Sequence, residues 1–247
     1  QDKAALSRHS LDFVVTEFST KLPPPSPLST ADKPLDLKFT TESIPLAGIN
    51  GTQVRAVRSL DVDVDGQADL VVLLPRRLQV FSRKGNVWTE LLGVDLPGEA
   101  TAFLAADIDD DADAPTTTST DKPKAIAPAD PEFIVSGPGG LWVFENQRQP
   151  DGTRTLVLRN KDVPWVGATD LAAVVLLDLD GDGDLDIFAG GPTPRCFIYR
   201  GNFLFGEITE RSQLPKPEFR ATAAVAMDWD RDVDVDLIVT SAEHGIA

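Results

Sequence analysis

An all-β fold assembled from repeating four-stranded units is what this sequence predicts, and three observations predict it. Four aspartate-rich loops recur along the 247 residues: Asp61-Val-Asp-Val-Asp-Gly-Gln-Ala-Asp69, Asp107-Ile-Asp-Asp-Asp-Ala-Asp113, Asp178-Leu-Asp-Gly-Asp-Gly-Asp-Leu-Asp186 and Asp228-Trp-Asp-Arg-Asp-Val-Asp-Val-Asp236. Each sits between two apolar runs of strand character. Further short strand-like runs, set off by turn residues, follow each loop before the next begins. Repeats of this length build propellers or solenoids rather than one enzyme core.

Residues 1–34 read as an N-terminal segment and proline-rich linker, fitting the end of an upstream helical region. Leu11, Val14, Val15 and Phe18 keep amphipathic-helix spacing, although the β-branched residues weigh against a helix. Lys21-Leu-Pro-Pro-Pro-Ser-Pro27 is stiff and extended, unable to continue a helix or a central strand. The repeat region is 35–247. It starts with the alternating run Leu35-Asp-Leu-Lys-Phe-Thr-Thr41, a half-buried strand that could help to close a ring.

The first unit spans about 52–98. Gln53 to Leu60 leads into the first loop and Leu70 to Leu74 leaves it, apolar enough to be covered on both faces. Leu78 to Phe81 and Val87 to Leu92 follow, joined by the turn Arg83-Lys-Gly-Asn86. Four such strands make one propeller blade. The pattern returns over 99–160 (Ala100–Ala106, Phe133–Val135, Leu141–Phe144, Arg154–Leu158) and over 168–212 (Leu171–Leu177, Ile187–Ala189, Cys196–Arg200, Phe205–Thr209). A last unit, 219–247, is incomplete, with Ala221–Met227 and Leu237–Thr240 on either side of its loop. Successive loops begin 46, 71 and 50 residues apart. The long gap contains a Thr/Ser/Pro/Ala-rich insertion, Ala114 to Pro131, too poor in apolar residues to pack. Without about seventeen of its residues the gap is roughly 54, a blade-length repeat.

Charge points the same way. The net charge of −16 excludes nucleic acid and anionic membrane surfaces as partners. Nineteen of the 39 acidic residues are the aspartates of the four loops, so the acidity marks sites instead of a solvated surface. Alternate carboxylates on a tight loop offer Ca²⁺ its preferred hard oxygens, and loops of this kind fill at the millimolar levels found outside the cytosol. An extracellular or periplasmic setting is therefore expected. No stretch of eighteen apolar residues provides a membrane span. The first residues lack a signal peptide's basic start and apolar core, as expected for a processed or excised chain. Cys196, the single cysteine, excludes an intramolecular disulfide and a thiolate zinc site, and its apolar surroundings read as a buried strand.

The phrase Asp-x-Asp-x-Asp-Gly-x-x-Asp-Leu followed by an apolar strand resembles the FG-GAP or VCBS repeat, and Ile187-Phe-Ala-Gly-Gly-Pro192 is similar to its glycine-rich part. The resemblance runs from about residue 52 to 247. It implies a β-propeller, as in the head of integrin α chains and in many bacterial extracellular proteins. It also implies Ca²⁺ in the loop between the first two strands of each blade, held by side chains at loop positions one, three, five and nine and a carbonyl at seven. Carried over, the first site uses Asp61, Asp63, Asp65 and Asp69 with the Gln67 carbonyl. The third uses Asp178, Asp180, Asp182 and Asp186 with that of Asp184, and the fourth Asp228, Asp230, Asp232 and Asp236 with that of Asp234. In the second loop, Asp107, Asp109 and Asp111 are joined by Glu132, which stands before Phe133 as Asp186 stands before Ile187. Gly66 and Gly183 suit a sharp turn at position six. Val233 in the fourth loop and Ala112 in the second fit it less well.

EF-hands are excluded: they need a glutamate at position twelve, here Val72, Ala189 and Val239, and flanking helices. No Gly-x-Ser-x-Gly elbow, phosphate loop or HExxH motif is present. His9 and His244 read as solvated surface residues. Trp88 and Trp142 lie within strands and read as core. Trp165, between blades, is the candidate for an exposed sugar-stacking face. The expected function is a calcium-stabilised extracellular binding or adhesion scaffold, not an enzyme, presenting inter-blade loops to a protein or glycan. The alternatives are a support domain of a larger secreted hydrolase or lyase, or a structural segment of a multi-subunit complex. Further blades from a longer parent chain are an expected partner.

Overall fold

Fifteen strands make up the described secondary structure, grouped into four antiparallel meanders. The computed structural model describes residues 43–49, 53–109, 130–159, 164–165, 168–212, 214, 219–232, 234–243 and 245–246. The N-terminal segment 1–34, the run 35–41, most of the 114–131 insertion, Asp111, Ala112, Val233, His9 and His244 lie outside these residues. Among the described residues, 44–227 with 235–247 form one compact unit, which holds all four sheets, and 228–234 belong to a second.

The first sheet contains β1 (Ala56–Leu60), β2 (Asp69–Leu74), β3 (Arg77–Lys84) and β4 (Val87–Asp95) in that order. The second follows with β5 (Ala102–Ala106), β6 (Glu132–Gly137), β7 (Gly140–Arg148) and β8 (Arg154–Leu158), and the third with β9 (Ala173–Leu177), β10 (Asp186–Gly190), β11 (Arg195–Tyr199) and β12 (Phe205–Glu207). The fourth has β13 (Ala221–Met227), β14 (Asp236–Ser241) and β15 (Gly245–Ile246). Each aspartate loop joins the first strand of its sheet to the second. The last loop residue opens the second strand, with Leu60 opposite Asp69, Ala106 opposite Glu132 and Leu177 opposite Asp186.

Sheet stacking follows from the two-residue period of β-strands, which sends alternate side chains to opposite faces. On β6, Phe133 and Val135 join the first core, shared with Val71, Leu73, Leu78 and Val80 of the first sheet. Ile134, between them, points to the second core, shared with Ile187, Ala189, Phe197 and Tyr199 of the third sheet. On β10 and β11 the intervening Phe188 and Cys196 turn the other way, into a third core with Phe219, Ala221 and Val239. The middle strands are therefore apolar on both faces, and their residues are almost wholly buried. Backbone bonds join the blades as well: Ala100 N–H donates to Pro75 O at 2.8 Å and Ala221 N–H to Gly191 O at 3.0 Å. This is a partial β-propeller. Among the described residues no hydrophobic core joins the fourth sheet to the first.

Candidate metal centres

Turn geometry draws the loop carboxylates together. Gly66 has φ 87° and Gly183 φ 96°, the left-handed region in which glycine pays no steric cost. In the first loop the Asp61 carboxylate accepts from Asp65 N–H at 3.1 Å and Gly66 N–H at 2.8 Å. In the third, Asp178 accepts from Gly181, Asp182 and Gly183 N–H at 2.7, 3.1 and 3.0 Å. Position one thus organises its own loop.

The carboxylates that converge belong to positions one, three and nine. Asp61, Asp63 and Asp69 each offer an oxygen within 4.8 Å of the others, as do Asp178, Asp180 and Asp186. In the second blade the set is Asp107, Asp109 and Glu132. The bond that seats position nine is the same in all three blades: Val62 N–H to Asp69 at 3.0 Å, Ile108 N–H to Glu132 at 2.9 Å, Leu179 N–H to Asp186 at 2.7 Å. Glu132 therefore occupies in its blade the place that Asp69 and Asp186 occupy in theirs, 24 residues from its donor instead of seven.

Position five does otherwise. Asp65 accepts from Gln67 N–H at 2.8 Å and Asp182 from Asp184 N–H at 3.0 Å, so each carboxylate closes a two-residue turn within its loop. Gln67 and Asp184 are placed by these same bonds. In the unit 228–234, Asp230 accepts from Asp232 N–H at 3.2 Å and Asp232 from Asp234 N–H at 3.0 Å. Asp228 starts that loop, and Asp236 opens β14 opposite Met227.

Burial sets the electrostatics. Asp69, Glu132 and Asp186 are almost fully buried at the head of their strands. Burial pushes the Glu132 carboxyl up to about 8, against the bonds from Ile108 and Asn146, whose backbone N–H also reaches it. The Asp69 and Asp186 carboxyls are likewise raised by burial, opposed by the N–H bonds they accept. Asp63 is raised by burial and by its neighbour Asp65. With Oδ2 of Asp69 taken by Val62, its Oδ1 is buried without a hydrogen-bond partner. A buried carboxylate oxygen with no donor is costly unless a cation neutralises it. An all-oxygen donor set with this orphaned atom fits a hard divalent cation.

Between the second and third blades a cavity of about 730 Å³ is lined by Asp109, Glu145, Arg159, Asp184, Tyr199 and Phe203, among others. Arg159 pairs with Glu145 and lies over the Phe203 ring at 5.6 Å. Trp165 corrects an expectation. It is buried (3% exposed), edge-on to Phe205 at 4.9 Å and Phe197 at 5.6 Å, and offers no sugar-stacking face. Its position between blades had suggested an exposed ring, but the side chain packs into the second core. Trp142 is buried as expected, whereas Trp88 is half-buried beneath Arg83. Cys196 is fully buried and its thiol is raised to about 11 by burial, which leaves it inert at neutral pH. Sequence reasoning overlooked Asn146 and the buried Arg154–Asp130 pair, since an isolated Asn or Arg in a strand carries no motif.

Residues 178–239, from the first aspartate of the third loop to Val239 in β14, match the family model of the FG-GAP-like repeat. Among curated proteins, none matches the chain significantly.

Proposed function

We propose that this chain, bearing an FG-GAP-like repeat, is a calcium-stabilised binding scaffold of the extracellular or periplasmic space that presents inter-blade loops to a protein or glycan. FG-GAP-like repeats are generally non-catalytic and typical of secreted proteins, which favours binding over chemistry. The observation that carries the reading is the recurrence of one donor arrangement at the head of successive blades, with an orphaned buried oxygen on Asp69. In the first blade Asp61, Asp63 and Asp69 would hold the cation; in the second, Asp107, Asp109 and Glu132; in the third, Asp178, Asp180 and Asp186. In the fourth, Asp228, Asp230 and Asp236 are the corresponding positions. Bound there, calcium supplies charge neutralisation and a tie between the first and second strands of a blade. Asp65, Asp182 and Asp232 shape the loop around it.

Mass action makes this testable, because a ligand that binds only the folded chain stabilises it. Thermal unfolding in millimolar calcium is expected several degrees above that in chelator, with magnesium giving a smaller rise. Equal midpoints in calcium and chelator would remove the calcium reading. For the partner, a glycan array probed in calcium and in chelator is expected to show binding that needs calcium. A chain that binds only a protein partner narrows the reading to protein adhesion.

A further inference from the structure

Hydrogen bonds around Asn146 join two loops that the sequence keeps far apart. Asn146 lies in β7 and is 3% exposed. Its Nδ2 donates at 2.9 Å to the carbonyl oxygen of Val62, the second residue of the first loop and 84 positions away. The N–H of the same Val62 holds Asp69 at 3.0 Å. Phe144, two residues before Asn146, pairs with Phe133 as Phe197, two before Tyr199, pairs with Ile187. By register the Asn146 backbone N–H therefore faces the Glu132 carboxylate as Tyr199 N–H faces Asp186, to which it donates at 2.7 Å. Glu132 also accepts from Ile108 N–H at 2.9 Å. One residue therefore braces the first carboxylate set with its side chain and the second with its main chain. Arg154, paired with Asp130, donates to the Asn146 carbonyl at 3.5 Å.

Packing alone does not account for an amide at this position. Trp142 and Phe144 precede Asn146 on the same face of β7 and fill the first core. An apolar residue would extend that face, whereas the amide leaves its own Oδ1 buried without a partner. The relay runs through the interior, since Val62, Asp69, Glu132 and Asn146 are all buried, and water cannot replace a bond lost there.

We propose that Asn146 is a positioning residue that couples the first and second loops, so that a divalent cation in either raises the affinity of the other. This rests on the reading that the loops hold a cation. Fixing Glu132 around a cation fixes Asn146 and, through Val62, places Asp69 in advance. The second binding event then carries less of the ordering cost.

Linkage requires the coupling to be equal in both directions. The experiment is calorimetric titration of calcium into a chain whose third and fourth loops are silenced by Asp180→Asn and Asp230→Asn. Silencing the second loop with Asp107→Asn is expected to weaken the first about fivefold, and Asp63→Asn in the first loop to weaken the second by the same factor. Asn146→Leu, similar in size but without the amide, is expected to abolish the factor in both directions. Asn146→Asp, isosteric and retaining the main-chain arm, gives a second variant should the leucine prevent folding. A purely structural role would lower the melting point of the metal-free chain and leave the factor intact. Independent affinities in the Asn146 chain overturn the coupling, and a factor that survives either folded variant overturns the role of Asn146. If neither variant folds, the reciprocal pair of factors decides. Absence of any calcium binding to the unmutated chain sinks the calcium reading itself, a separate and recognisable result.

Discussion

Val64 adopts φ 60° at the fourth position of the first loop, where the third loop has Gly181 at 75° and the fourth has Arg231 at 63°. The loops thus need left-handed backbone at position four as well as six, and a β-branched residue bears that strain poorly. Val64→Gly is expected to stabilise the chain by about 1 kcal/mol, strain relief outweighing the entropy that glycine adds to the unfolded chain. Urea unfolding measures it, and an unchanged or lower midpoint contradicts the strain. Glu132 governs a pH dependence. Folded, its carboxyl sits near 8 against an ordinary 4.5, so between those values the folded chain keeps a proton that the unfolded chain releases. Without cation, its contribution to stability is complete below about pH 4.5 and is lost as pH rises through about 8. Chelated protein is therefore expected to unfold at lower urea at about pH 8.5 than at about pH 5, with Glu132→Gln flattening much of that slope. A cation reverses the sense, since it binds the ionised carboxylate. The alternating aspartates and position-six glycines were plain in the sequence. Position four was not, because only the backbone dihedral distinguishes Val64 from an ordinary loop valine.

Between elements, a glycine sets how closely the segment entering a blade approaches that blade's own strands. A Cβ on Gly137, at the end of β6, would meet Ala100 Cα and Thr101 N at 2.8 Å and Glu99 O at 2.9 Å, all backbone atoms of the segment that enters the second blade. Gly137→Ala is accordingly expected to cost about 2 kcal/mol by overpacking, read as a lower urea midpoint; a neutral substitution would mean that the entering segment gives way. Strand existence was legible because each run is short, apolar and bounded by turn residues: Arg154–Leu158 and Ala221–Met227 coincide with β8 and β13. Strand ends were less so. β3 and β4 each run to eight or nine residues, longer than their apolar runs, because their polar ends pair across the hairpin from Arg83 to Trp88 and from Arg77 to Asp95.

At the scale of the whole molecule, stability resides in the cores between blades rather than within any one sheet. Trp165 shows this, since it comes from a connector and packs on β11 and β12 of the third blade alongside Ile134 and Val143 of the second. Trp165→Ala is expected to cost about 4 kcal/mol in a single unfolding transition; a loss under about 1 kcal/mol would show that this core collapses around the gap. The sequence by itself determined the period, the strand-loop-strand order and the carboxylates of each loop, because these depend on residue type and local spacing. Glu132 was legible as a stand-in for an aspartate from its place before Phe133, but that Trp165 turns inward and that Asn146 ties two loops together were decided only by the tertiary structure. Each of those depends on groups brought together by the stacking of sheets, and no local pattern records which distant residue a face will meet.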